Sequence, residues 1–192
     1  MRGVAYIAYG ANALKEARLS IESLKMHNNL PVVMIGDTPG CHVHMTIRDK
    51  GGRWAKVNLD NLVPFDDVLY IDADTRIYGD LSAGFDVLDD GWDVVITPST
   101  ADWLWHVSDD ERDATRLEAG RFITQLQGGL FFFNKQRTKR FFELWREEWL
   151  RWKGQDQGAL LRTLYKEPVR VWSFGKPWNG GTLVAHRFGA AR

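Results

Sequence analysis

The sequence predicts an α/β fold with a mostly parallel central sheet flanked by helices. Three observations carry this. Val4-Ala5-Tyr6-Ile7-Ala8, an amphipathic stretch over 13–26 and Pro31-Val32-Val33-Met34-Ile35 follow one another at βαβ spacing, which implies parallel neighbours. Val68-Leu69-Tyr70-Ile71 is an unbroken apolar run, the pattern of a strand buried on both faces. Two carboxylates, Asp72 and Asp74, stand where that run ends, and open α/β sheets bind ligands beyond the carboxyl ends of their strands.

The elements follow in order. The first strand leaves through Tyr9-Gly10-Ala11-Asn12, read as a loop, which is not a Gly-x-Gly-x-x-Gly dinucleotide fingerprint. Leu14, Ala17, Ile21 and Leu24 give 13–26 its apolar stripe. Gly36-Asp37-Thr38-Pro39-Gly40 ends the second strand. Val43, Met45 and Ile47 alternate with His42, His44 and Arg48, a half-exposed strand whose histidines are either its outward face or a metal pair. Residues 54–62 read as a short helix and 93–97 as a buried strand. Residues 98–126 break the rhythm with Trp103, Trp105, His106 and a charged stretch; so long an excursion is a functional loop, a lid on the acceptor side, or a satellite of the core. Within it, Ser108 and Glu111 form a capping-box signature for a helix over 108–120. Residues 130–133 read as a central strand preceded by Gln127-Gly128-Gly129, where glycine lets backbone approach a ligand. Helices over 135–153 and 159–165 and a strand over 169–172 complete the series. The basic start of the first of these, 135–140, reads as a solvated face, with contact to nucleic acid or membrane headgroups as the alternative.

Bulk properties narrow the function. The 192 residues fit one domain, 1–192, with a substantial core. Lys plus Arg equals Asp plus Glu at 25 each, which argues against a generally basic nucleic-acid binder. Cys41 is the only cysteine, so no intrachain disulfide forms and a reducing compartment fits. No apolar run reaches the roughly 18–20 residues of a membrane span. The N-terminus lacks the apolar region of a signal peptide, and the expectation is a cytoplasmic protein. Nine tryptophans are many for this length, and several sit in polar contexts suited to a binding surface.

Asp72 and Asp74 are the candidate chemistry. Two apart in an extended segment, they project to one side, where like charges repel unless a cation sits between them. Such oxygen ligands suit Mg²⁺ or Mn²⁺, which also bind phosphate oxygens. The alternative is a strand ending in a polar turn capped by Asp74.

Taken together, Trp54-Ala55-Lys56, Val68-Leu69-Tyr70-Ile71-Asp72-Ala73-Asp74, Gly79-Asp80-Leu81, Gln127-Gly128-Gly129, Asp156-Gln157-Gly158 and Ala185-His186-Arg187-Phe188-Gly189 resemble, in this order, the glycogenin-type retaining glycosyltransferases. These include bacterial lipooligosaccharide galactosyltransferases and share the nucleotide-diphospho-sugar transferase (GT-A) fold. The resemblance implies that Asp72 and Asp74 (the DXD pair) and His186 hold Mn²⁺ or Mg²⁺. It implies that Arg192, in the place of the family's lysine, binds the diphosphate. Lys56 would touch the nucleotide sugar, and Ala8, Tyr9, Asn12 and Ala73 would help bind the donor. Asp156 and Gln157 would act at the sugar as the catalytic pair. Gln127-Gly128-Gly129 stands where the family has Asn-Ser-Gly, so the choice of sugar stays open. Lys176-Pro177-Trp178 precedes His186, whereas the family's Lys-Pro-Trp follows its histidine.

The function so implied is metal-dependent transfer of a hexosyl group from a nucleoside-diphosphate sugar, UDP-linked, with retention, to an acceptor that is a glycan, a protein or a modified nucleic-acid base. An inverting enzyme would need a carboxylate base, for which Asp102, Asp109 and Glu118 stand as candidates. Two alternatives remain. A nucleotidyltransferase of nucleotide-sugar synthesis would need a basic, glycine-rich first loop. A non-catalytic nucleotide-sugar-binding module would bind without turnover.

Overall fold

The computed structural model describes residues 1–37, 43–44, 51–99, 104, 106–120 and 124–191. The first half of the chain runs β1 (Arg2–Ala8), α1 (Gly10–Lys25), β2 (Val32–Gly36), β3 (Val43–His44), α2 (Gly51–Val57), α3 (Leu59–Leu62), β4 (Asp67–Asp72), β5 (Thr75–Ile77) and α4 (Ser82–Asp89). The second half runs β6 (Val94–Pro98), α5 (Asp109–Ala119), β7 (Leu126–Asn134), α6 (Lys139–Trp152), α7 (Asp156–Lys166), β8 (Val171–Ser173), a 3₁₀ turn (Lys176–Trp178) and β9 (Val184–His186). Among the described residues, seven strands form one sheet in the order β3-β2-β1-β4-β7-β6-β8, and β5 pairs with β9 in a second. β1, β2, β3 and β4 run parallel, as do β6 and β8. β7 alone runs against both its neighbours.

β1 is buried from Gly3 to Ala8 because both faces are covered. In β1, Ala5 and Ile7 face a core shared with Phe131, Phe133, Phe141, Phe142 and Trp145, the side of α2, α6 and α7. Val4, Tyr6 and Ala8 face the opposite core with Leu14, Ala17, Phe85 and Phe132, the side of α1 and α4. The period-two alternation of a strand divides one run between two cores.

Several sequence expectations shift. α1 begins at Gly10, so Asn12 lies in its first turn and not in a loop. The helix expected over 54–62 divides at Asn58 into α2 and α3. β7 extends back to Leu126 and contains Gln127-Gly128-Gly129, which were expected to precede it. α6 starts at Lys139, because 135–138 form a turn. That basic turn is not merely a solvated face: Lys135 Nζ donates to the Val63 carbonyl, and Arg137 joins Asp93 and the Leu88 and Trp92 carbonyls. α4 and the β5–β9 pair went unpredicted. The strand expected over 43–47 is described only at β3, and His42 and the side chain of His44 lie outside the described residues. No described helix is long and apolar enough to cross a membrane.

Candidate active site

β1 and β4 lie side by side in parallel, with Ile7 opposite Asp72, so the exit of β1 and the end of β4 open at the same edge. Asp72 is the last residue of β4. Ala73 and Asp74 then form a turn into β5, not the extended segment their spacing suggested. The carboxylates converge for another reason. β5 pairs with β9 so that Thr75 faces His186, which carries the histidine in from the far end of the chain. The Arg187 N–H closes the joint on the Asp74 carbonyl at 2.8 Å. One ligand atom each from Asp72, Asp74 and His186 then lie within 4.8 Å of one another. His186 Nε2 stands 3.1 Å from Asp74 Oδ1 and 3.8 Å from Asp72 Oδ2. Gly129 makes room for this: a Cβ there would meet His186 Cε1 at 2.6 Å and Asp72 Oδ2 at 2.9 Å. Two carboxylates and an imidazole in a space that only glycine leaves open fit Mn²⁺ or Mg²⁺.

Lys56, on α2, lies between two of the acids. Its ammonium is 3.0 Å from Asp72 Oδ1 and 3.5 Å from Asp156 Oδ2. Burial opposes charge on Lys56, but Asp156 and Asp72 outweigh it and raise its pKa. Tyr70 donates to Asp72 Oδ1 at 2.6 Å, and its own pKa is pushed well up, by burial first and then by the Asp72 charge. Burial pushes Asp74 toward its neutral form. Contact with His186 and the Gly189 N–H at 2.9 Å wins, and its pKa is lowered. Asp156 occupies the first turn of α7, where the helix dipole favours an anion. The Trp145 indole N–H, donating to the Asp156 carbonyl at 3.2 Å, holds that turn.

Two cavities of about 590 Å³ each meet at this cluster, sharing Lys56, Asp72, Asp74, Gln155 and Asp156. One runs toward β1 and α2, past Ile7, Tyr9, Arg53, Trp149, Lys153 and Ala191. The other runs toward β7, past Ser99, His106, Gln125, Gln127 and Phe188. The pairing of β6 with β7 shifts register between Ile96 and Thr97, so that Gly128 and Gly129 loop out at the wall of this second cavity. Such bulges re-aim side chains beside functional sites.

The structure gathers most of the expected residues and moves some. Lys56, Asp72, Asp74, Gln127, Gly128, Gly129, Asp156, Gln157 and His186 all line the second cavity. Tyr9 and Ala73 line the first. Ala8 instead points into the core, and Ile7 takes its place on the cavity wall. Asn12 turns away to donate to the Ala190 carbonyl at 2.9 Å, tying the tail to α1. The Gln157 amide is engaged by β7, donating to the Leu126 carbonyl and accepting from the Gly128 N–H. Arg192 and Asp102 lie outside the described residues, along with Trp103 and Trp105. Of the described candidates for an inverting base, Asp109 pairs with Arg112 and Glu118 with Arg151 and Lys166, and neither lines the two cavities. The tryptophans mostly pack. Trp145 is core and Trp178 stacks on Phe174, while Trp149 reaches a cavity wall.

Sequence reasoning missed Arg53 and Lys153, cations on the wall of the first cavity. Arg53 sits one turn before Lys56, a spacing that puts both on one face of a helix. It also missed Asn179, which bonds the Nδ1 of His186 at 2.8 Å; nothing local to Asn179 announces that contact.

No family model matches the chain, and no curated protein matches it. Solved structures do. The apo structure of the bifunctional glycosyltransferase WbbM superposes over 92% of this chain with a TM-score of 0.69 at 17% identity. The galactosyltransferase LgtC, in complex with donor and acceptor sugar analogs, covers 93% with a TM-score of 0.60 at 16% identity. GlyE of Streptococcus pneumoniae TIGR4 covers 93% with a TM-score of 0.59 at 17% identity. The chain spans 39% of WbbM, 47% of GlyE and 75% of LgtC. The fold is therefore that of the GT-A glycosyltransferases, a nucleotide-diphospho-sugar transferase fold with a cluster of potential metal ligands at the edge where β1 and β4 end.

Proposed function

We propose that this protein is a metal-dependent glycosyltransferase that moves a hexosyl group from a UDP-sugar to an acceptor, with retention at the anomeric carbon. The observation that carries the reading is the meeting of two cavities at one cluster of Asp72, Asp74, His186, Lys56 and Asp156. The first cavity would take the nucleotide. Tyr9 and Ile7 offer apolar surface for a base, and Arg53, Lys56 and Lys153 offer charge for a diphosphate. Ala191 lines it too, which supports Arg192, the next residue, as a further phosphate contact. The second cavity would take the acceptor, with 98–126 as its wall; Ser99, His106 and Gln125 come from that segment.

Asp72, Asp74 and His186 would hold Mn²⁺ or Mg²⁺, which would supply Lewis-acid neutralisation of charge on the departing diphosphate. Lys56 would add a fixed positive charge to the same group, at a site pre-organised by Asp72 and Asp156. Asp156 would either stabilise positive charge at the anomeric carbon as its bond to the diphosphate breaks, or attack that carbon as the diphosphate leaves and then yield the sugar to the acceptor hydroxyl. Gln157 would hold the first turn of α7 against β7 so that Asp156 keeps its aim. Phe188, which stacks on the His186 ring at 4.0 Å, would shield that ligand from one side.

A panel of nucleotide sugars with and without metal, read first by thermal shift and then by turnover, tests this. At 100 times its dissociation constant a ligand stabilises by about 2.7 kcal/mol, and about 2–4 °C per kcal/mol is typical for a domain of this size. UDP with Mn²⁺ should therefore raise the Tm by several degrees, and UDP with EDTA by much less. Equal shifts would remove the metal bridge. Binding without transfer or hydrolysis of any donor would favour a binding module.

A further inference from the structure

Asn179 follows the 3₁₀ turn and donates its backbone N–H to the Lys176 carbonyl at 3.1 Å. The turn is firmly seated. Trp178 stacks on Phe174 at 4.0 Å and meets Phe132 edge-on. Leu183 N–H and Gly180 N–H bond across it, to Pro177 and Val184 carbonyls. The Asn179 side chain is buried, 4% exposed, and each end of its amide has a partner. Nδ2 donates to Thr97 Oγ1 at 3.2 Å and to Gln127 Oε1. Oδ1 is left to face His186 Nδ1 at 2.8 Å. In this orientation of the amide the oxygen only accepts, which pairs it with a proton on Nδ1 of the imidazole. With Nδ1–H engaged by Asn179, Nε2 is the ring atom left to face Asp74 Oδ1, 3.1 Å away, on the side where the carboxylates converge.

We propose that Asn179 is a positioning residue that holds His186 in the Nδ1–H tautomer, so that Nε2 is free to ligate a divalent metal, and that the same amide ties Gln127 to that arrangement. This rests on the metal reading given above, applied to a residue outside the ligand set. Outer partners of this kind fix ring orientation and raise ligand basicity, and their loss weakens metal binding about 10–100-fold. Asn179 also spans the cluster and the second cavity. Thr97 comes from β6, Gln127 from the bulged segment of β7 and His186 from β9, so one amide sets the metal ligand and a cavity-lining carboxamide together.

Two variants separate the roles. Asn179→Asp still accepts from Nδ1–H but has no N–H for Gln127, whereas Asn179→Ala does neither. Mn²⁺ titration of the nucleotide-free protein by electron paramagnetic resonance should show affinity lost about 10–100-fold in Asn179→Ala and restored in Asn179→Asp. Asn179→Asp should nonetheless bind UDP-sugar less tightly relative to UDP than the wild type does. Long-range ¹H–¹⁵N spectra of the metal-free protein read the tautomer itself, with the proton on Nδ1 in wild type and Asn179→Asp and a mixture in Asn179→Ala. The proposal is overturned if Asn179→Ala keeps both the Mn²⁺ affinity and the tautomer, or if Asn179→Asp loses Mn²⁺ as badly as Asn179→Ala. A wild type that shows the Nδ1–H tautomer but takes up no Mn²⁺ would bring down the metal reading and, with it, the ligand role of Nε2.

Discussion

Two charged regions lie close together in this molecule and are built on opposite rules. Around the end of β4, Asp72 and Asp156 share the Lys56 ammonium, and Asp74 faces the Nε2 of His186. Between α5, α6 and α7, Glu111, Glu118 and Glu148 meet Arg151, Arg162 and Lys166, three against three. Arg162 is fully buried, and all its N–H groups find acceptors on Glu148, Glu111, Thr115 and the Glu148 carbonyl. A balanced, saturated set of charges holds helices in register. An unbalanced set is poised for a cation from outside. The two touch at Gly158, where a Cβ would meet Glu111 Oε1 at 2.5 Å, two residues after Asp156. The network thus anchors the helix that presents Asp156.

The sharpest way to break this comparison is to remove a member from each side. Arg162→Ala leaves Glu148 and Glu111 buried with fewer partners. It should destabilise the fold by about 3–5 kcal/mol, seen as a fall of the denaturation midpoint. Asp156→Asn removes a charge from the crowded side. It should cost under about 1 kcal/mol of stability, yet slow transfer by about 10²–10³, with a much smaller effect on UDP binding. Equal losses of stability in the two variants would erase the distinction between a structural and a functional cluster. Near-normal turnover in Asp156→Asn would take that residue out of the mechanism.

What the sequence made legible follows the same division. Local and periodic features could be read: the βαβ unit, the apolar β4 run with its two acids, and Ser108, whose hydroxyl does accept from the Glu111 N–H. The second half of that capping box could not, because the Glu111 carboxylate is drawn away to Arg162, fifty-one residues on. The buried network of the charged stretch from Asp109 could not be read for the same reason, since the partners of Glu111 and Glu118 lie on α6 and α7. The antiparallel run of β7 and its bulge carry no local signature; Asn12 was read into a loop where α1 begins, and at the end of β1 the strand alternation turns Ile7, not Ala8, to the cavity. Asn179 was invisible because its partners Thr97 and Gln127 are 82 and 52 residues away.

The smallest expected effect probes the balanced region alone. Glu118 accepts from Arg151 at 2.7 Å and from Lys166 at 2.6 Å, and hydrogen bonding to Arg151 leads the causes that lower its pKa to about 2. The folded-state pKa is depressed, so the contribution is fully present above the ordinary carboxylate value of 4.5 and is lost as pH falls from there toward about 2. Arg151 and Lys166 are partly open to solvent, and screening should leave about 1 kcal/mol of the effect. Glu118→Gln should therefore melt a few degrees below the wild type near neutrality. The gap should narrow as the buffer is taken below the ordinary carboxylate value, because the wild type then loses the charge the variant never had. Salt should narrow it too, since the pair is within reach of counterions. A gap that ignored both acid and salt would mean that Glu118 acts by packing, and the charge balance of the network would then rest on the buried members Arg162, Glu111 and Glu148.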